Sequence, residues 1–142
     1  MAALIDTTVL VHRFDSRFPE KQKKAAAILR RGITDNSLRI PHQAVIEFVA
    51  ASTRVIQGYQ ILTQDEALRE AEELLKQFPV LYPNEAMLRQ AFRGCAAYHL
   101  NWFDSHLWAY AEHYGLEEIL SEDLQHDRLY GSVRVINPFV GL

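Results

Sequence analysis

Short apolar runs that break off at a cap residue or a proline, separated by longer stretches of helical periodicity, constrain this chain more than any other feature. Ala2 to Ile5 is the first run, and Asp6-Thr7-Thr8 offers polar caps for a helix behind it. Leu38 to Ile40 stops at Pro41, Glu118 to Leu120 follows Gly115, and Val133 to Ile136 precedes Pro138. The helical stretches between them are Glu20 to Arg31, ended by Gly32, then His42 to Val55, Gln64 to Phe78, Asn84 to Tyr98 and about Asn101 to Tyr114. Strands that alternate with helices pair through crossovers rather than hairpins. The expected fold class is therefore α/β, three-layered, with a central, mainly parallel sheet flanked by helices.

The 142 residues contain no linker rich in Pro, Gly or Ser, so residues 1–142 read as one domain. A hydrophobic share of 49% supplies a full core and argues against disorder. No apolar run approaches the roughly 18 to 20 residues of a membrane span, and Met1 to Val11 carries Asp6 without a basic lead. A cytoplasmic protein without membrane contact is expected. The lone Cys95 excludes an internal disulfide and argues against a cysteine-based zinc site.

A net charge of −3 gives no general basic coat for nucleic acid, but the charge is uneven. Up to Ile40 there are eight Lys/Arg against four Asp/Glu, a local excess of +4 that leaves −7 for the remainder. The basic stretch Arg13 to Arg31, with Lys23 and Lys24 at its centre, is a candidate phosphate-contacting face, against the alternative of a solvated helix surface.

Three acids stand alone in apolar surroundings. Asp6 is the only charged side chain before Arg13, Glu47 the only one between Arg39 and Arg54, and Asp104 the only one between Arg93 and Glu112. Burying a carboxylate without a partner costs several kcal/mol or neutralises it, so a shared cation is the economical explanation. Local alternatives exist for two of them: Asp6 can cap the helix after the first strand, and Asn101-x-x-Asp104 has the form of a capping box. Glu47 lies in Ala44 to Ala51, which reads as helix buried on most sides with no basic residue within a turn. Asp6 and Asp123 both follow strands, where open α/β sheets bind ligands. An all-oxygen cluster suits Mg²⁺ or Mn²⁺.

In these residues the chain resembles the PIN-domain family, and within it the VapC-type toxin nucleases of toxin–antitoxin pairs. The likeness rests on Leu4-Ile5-Asp6-Thr7, Glu47, Trp102-Phe103-Asp104, Ser121-Glu122-Asp123-Leu124-Gln125-His126 and the ending Asn137-Pro138-Phe139. It implies a PIN-like fold and a metal-dependent endoribonuclease with Asp6, Glu47, Asp104 and Asp123 as catalytic and metal-binding residues, supported by Thr7 and Ser121. It further implies Mg²⁺ or Mn²⁺ as cofactor, an RNA substrate, a cognate antitoxin protein whose tail enters the active-site groove, and a homodimer. Two positions depart from the pattern: Thr8 stands where Asn is usual, and Asp127 where Gly commonly follows Gln-His. Of the acids after Leu120, Asp123 matches the family's S-x-D pattern, Glu122 is expected to face solvent, and Asp127 belongs to the loop before Tyr130-Gly131.

The rival functional reading is a catalytically inactive PIN-like binding or dimerisation module, whose hallmark would be a missing acid. A phospho-accepting receiver domain needs a late lysine, and the last one here is Lys76. No phosphate-binding glycine motif follows the first strand. His106 and His113, seven residues apart, are separated by roughly 10.5 Å along a helix and cannot share one zinc. They read as structural, and Cys95 with His99, at i, i+4 on one helix face, as core packing. Trp102 and Trp108 read as core or dimer contacts.

Overall fold

The computed structural model describes residues 2–142. Its strands are β1 (Ala3–Ile5), β2 (Leu38–Pro41), β3 (Val80–Leu81), β4 (Glu118–Leu120), β5 (Leu129–Tyr130) and β6 (Val133–Ile136). Its helices are α1 (Thr7–His12), α2 (Pro19–Asp35), α3 (His42–Thr53), α4 (Gln64–Gln77), α5 (Glu85–Tyr98) and α6 (Trp102–His113). One sheet forms in the order β3-β2-β1-β4-β6-β5, parallel except for the β5/β6 hairpin. The chain leaves β1 toward β2 on one side and later returns to β4 on the other. The C-terminal ends of β1 and β4 thus flank the point where strand order reverses, with Ile5 opposite Leu120.

Alternation along β1 separates two apolar layers. Ala3 and Ile5 pack with Leu29, Ala44, Phe48 and Leu74 on the face covered by α1 to α4, whereas Leu4 packs with Met87, Leu107 and Trp108 on the face covered by α5 and α6. That is the three-layer α/β arrangement expected from the alternating pattern.

Four local expectations change. Gly32 does not end α2, which continues to Asp35. A Cβ at Gly32 would lie 2.2 Å from Leu38 Cδ1, so this glycine permits close packing of helix on strand, and the left-handed turn falls instead at Asn36 (φ 56°). β3 and β5, two residues each, were not anticipated; they are too short to carry an alternating signal and exist through pairing with β2 and β6. Third, α3 stops at Thr53, leaving Arg54 and Val55 in or beyond its cap. Lastly, α3 is not buried on most sides, since Ile46 is 58% exposed.

Gly94 sets how closely α5 and α6 approach. A Cβ there would stand 2.5 Å from Ser105 Oγ and 2.7 Å from Trp108 Cε3. Neither neighbour is free to yield: the Ser105 hydroxyl donates to Ala91 C=O (2.5 Å), and Trp108 Nε1 donates to Tyr130 C=O (3.1 Å). Gly94→Val is expected to lower stability by about 2 to 3 kcal/mol, since overpacking outweighs the few tenths gained in helix propensity. A urea midpoint equal to or above wild type would show that the two helices can separate at little cost.

Candidate active site

Asp6 directly follows β1 and caps α1. Its Oδ1 accepts from Thr7 N–H (2.7 Å), and its Oδ2 accepts from the Ser121 hydroxyl (2.7 Å), across from the end of β4. Ser121 is fully buried, and its oxygen also accepts from Asp123 N–H (3.1 Å). One hydroxyl therefore ties Asp6 to the backbone that carries Asp123. Thr7 plays a similar part on the other side, donating its hydroxyl to Glu47 Oε2 (2.9 Å). Gln43, one turn before Glu47 on α3, donates to Glu47 Oε1 (3.0 Å).

Asp104 receives the amide of Asn101 on Oδ2 (2.6 Å), while its own N–H donates to Asn101 Oδ1 (2.8 Å). Asp6 thus caps α1 as foreseen, and Asn101 caps α6, but the reciprocal half of a capping box is absent because Asp104 accepts from the Asn101 side-chain amide rather than its backbone N–H. These bonds leave lone pairs on each carboxylate for other partners. Thr8, one of the two departures from the family pattern, makes no hydrogen bond to the Asp6 carboxylate. Its hydroxyl accepts from Glu122 N–H (3.2 Å) instead.

Asp6, Asp104 and Asp123 each feel burial and neighbouring carboxylate charge. Burial raises the Asp6 pKa to about 6, opposed by the hydrogen bonds from Ser121 and Thr7 and reinforced by the charges of Asp123 and Glu47. Asp104 is raised by burial and then by Asp123 and Glu47. Asp123 is exposed over much of its surface, yet partial desolvation of its carboxyl, with the charges of Glu122 and Glu47, raises it as well. Among the described residues none of the four takes part in a salt bridge. Mutual repulsion without a protein cation is the condition that a bound metal ion relieves.

The donor set is all oxygen, which matches Mg²⁺ or Mn²⁺ rather than zinc. The side chains do not close around one point: among the described residues no group of three or more His, Cys, Asp or Glu is gathered tightly enough to hold an ion. Such an open arrangement is compatible with an ion like Mg²⁺, which keeps several waters and uses only one or two carboxylates directly.

Glu122 does not face solvent. It accepts from His12 Nε2 (2.8 Å) and Lys21 Nζ (2.5 Å), bridging α1 and α2 to the segment after β4. Burial alone would raise its carboxyl, but Lys21 and His12 overturn that and hold it below the usual range. Lys21 and His12 occupy its two oxygens, so Glu122 is not available to the cluster. Asp127 lies in the turn before β5 (φ 65°) and pairs with Arg134 (3.0 Å). Of the four acids, Glu47 and Asp123 line a cleft of about 360 Å³, whose walls also include Thr7, His12, Ala50 and Arg54, whereas Asp6 and Asp104 are not among its lining residues.

A PIN domain family model matches residues 3–132. The chain belongs to the PIN domain family. A search of curated proteins finds no match. Among solved structures, this PIN domain is similar to a chain of a toxin–antitoxin complex from Klebsiella pneumoniae, with TM-score 0.70 and 16% identity over 97% of this chain and 98% of the other. It is also similar to a chain of FitAcB from Neisseria gonorrhoeae, with TM-score 0.64 and 19% identity over 97% of this chain and 99% of the other. Among the described residues no helix is long and apolar enough to cross a membrane.

The residues outside the expected set are Gln43, His12, Lys21 and Arg54. Gln43 had a readable signal, four residues before Glu47 on one helix. His12 and Lys21 had none, because they meet Glu122 across 110 and 101 residues. His106 packs edge-on against Trp102 (4.3 Å) and His113 meets Asn84 (3.3 Å), whereas Cys95 and His99 do not form the expected core pair: Cys95 is partly buried, and His99 is exposed as the left-handed cap of α5.

Proposed function

We propose that this PIN domain is a metal-dependent endoribonuclease and the toxin of a toxin–antitoxin pair. The observation that carries the reading is the set of four carboxylates, Asp6, Glu47, Asp104 and Asp123, none of which has a salt-bridge partner among the described residues, and in which burial and the charges of Asp123 and Glu47 raise the proton affinity of Asp6 and Asp104. Asp6, Glu47, Asp104 and Asp123 would hold Mg²⁺ or Mn²⁺. When bound, the ion supplies charge neutralisation for the phosphodiester and activation of a water. The chain's own part is positional. Ser121 and Thr7 fix the Asp6 and Glu47 carboxylates by direct hydrogen bonds, and the cap of α6 fixes Asp104. Small residues such as Ala50 leave the cleft open to an extended single strand.

The antitoxin partner is supported by the structural neighbour from a toxin–antitoxin complex. A protein interface is further supported by a contiguous apolar patch: Ile46 (58% exposed), Trp102 (44%) and Phe103 (66%) line one groove beside Glu47, and Phe92 stacks on Trp102 at 5.6 Å. We assign this patch to contact with a second copy of the chain. Incubation of purified protein with single-stranded RNA should give cleavage in Mg²⁺ or Mn²⁺ and none in EDTA. Undiminished cleavage in the chelator would rule out the metal mechanism.

A further inference from the structure

Four of the seven basic residues of the stretch Arg13 to Arg31 pair within the protein, while Lys23, Lys24 and Arg30 are exposed on α2 and form no ion pair among the described residues. Arg13 pairs with Glu70, Arg17 with Asp15, Lys21 with Glu122 and Arg31 with Asp35. His12, on the cleft wall, points Nε2 at Glu122. Arg54 is the other basic residue lining the cleft, and among the described residues it forms no ion pair or side-chain hydrogen bond. It stands at the C-cap of α3, seven residues after Glu47. Seven residues are about two turns, so Arg54 and Glu47 share one helix face roughly 10.5 Å apart along the axis. Ala50 and Ala51 lie between them on that face, and both line the same cleft. Their short side chains leave the path from carboxylates to guanidinium clear.

We propose that Arg54 is a substrate-positioning residue that binds an RNA phosphate flanking the one at the carboxylates; this rests on the ribonuclease reading. A guanidinium presents a planar fork that matches phosphate oxygens two at a time. Its place about two turns beyond Glu47 suits a flanking phosphate rather than the one at the acids. It contributes binding and register along the strand while the chemistry proceeds at the acids, so its loss acts on KM more than on kcat.

The test measures binding of a single-stranded RNA oligonucleotide from about 50 to 200 mM salt in the Asp6→Asn background, with and without Arg54→Ala. Loss of one phosphate contact should weaken binding about tenfold at low salt and flatten the slope of log K against log salt by about 0.7. Arg54→Lys should restore the slope but only part of the affinity. In the otherwise wild-type enzyme, Arg54→Ala should raise KM with kcat changed by less than about twofold. A merely structural cap of α3 would lower the thermal midpoint and leave the salt slope untouched. Parallel slopes for the two proteins would overturn the assignment of Arg54 alone. Absence of RNA binding by the parent protein would overturn the ribonuclease reading together with it.

Discussion

Asp6→Asn is expected to lower metal-dependent RNA cleavage by at least about 100-fold while making the metal-free protein more stable at neutral pH. The two effects have one cause. Asp6 is 7% exposed, and its pKa is raised from 3.8 to about 6, chiefly by burial. A carboxyl that binds its proton more tightly in the folded state destabilises that state as pH rises from the unfolded value to the folded one, and the full cost persists above it. Two pH units correspond to about 3 kcal/mol. Asparagine removes the charge but keeps the cap, because its carbonyl oxygen can still accept from Thr7 N–H and Asn caps helices as well as Asp. Urea melts without metal should therefore show the variant more stable by roughly 1 to 3 kcal/mol near pH 8, with the gap closing below about pH 4, where the wild-type carboxyl is protonated in both states. Adding Mn²⁺ should stabilise wild type far more than the variant. A variant less stable than wild type at both pH values would mean that burial of this charge is not what the position costs.

The second large effect separates three neighbouring acids. Asp123→Asn should reduce cleavage by about 100-fold at saturating Mn²⁺, since its charge acts on both Asp6 and Asp104. Asp127→Asn should stay within about twofold, because its partner is Arg134 on the exposed hairpin. Glu122→Gln should fall between them: it weakens the bonds to Lys21 and His12 and costs about 1 to 2 kcal/mol of stability, but removes no group from the carboxylate set. Wild-type rates for Asp123→Asn beside a dead Asp127→Asn would reverse the assignment of the fourth acid.

What could be read from the sequence is what depends on near neighbours. Helical periodicity, the caps Asp6 and Asn101, and apolar runs between them fall within a few residues of one another, and these gave the α/β order. The isolation of Asp6, Glu47 and Asp104 was legible because an unpaired charge in apolar sequence is anomalous wherever the chain later goes. Gly32 was misjudged as a helix stop, since a glycine that ends a helix and one that admits Leu38 are alike until the strand is placed beside it. Only tertiary structure decided the rest. The order β2-β1-β4 brings Asp6 and Ser121 together across 115 residues, and Glu122 meets His12 and Lys21 over similar separations. Contacts of that range leave no periodic trace, because they depend on which strands pair rather than on local conformational preference. The same holds for Arg54: its exposure follows from sequence type, but its place in the cleft, with the nearby cations already paired, is a property of the folded chain.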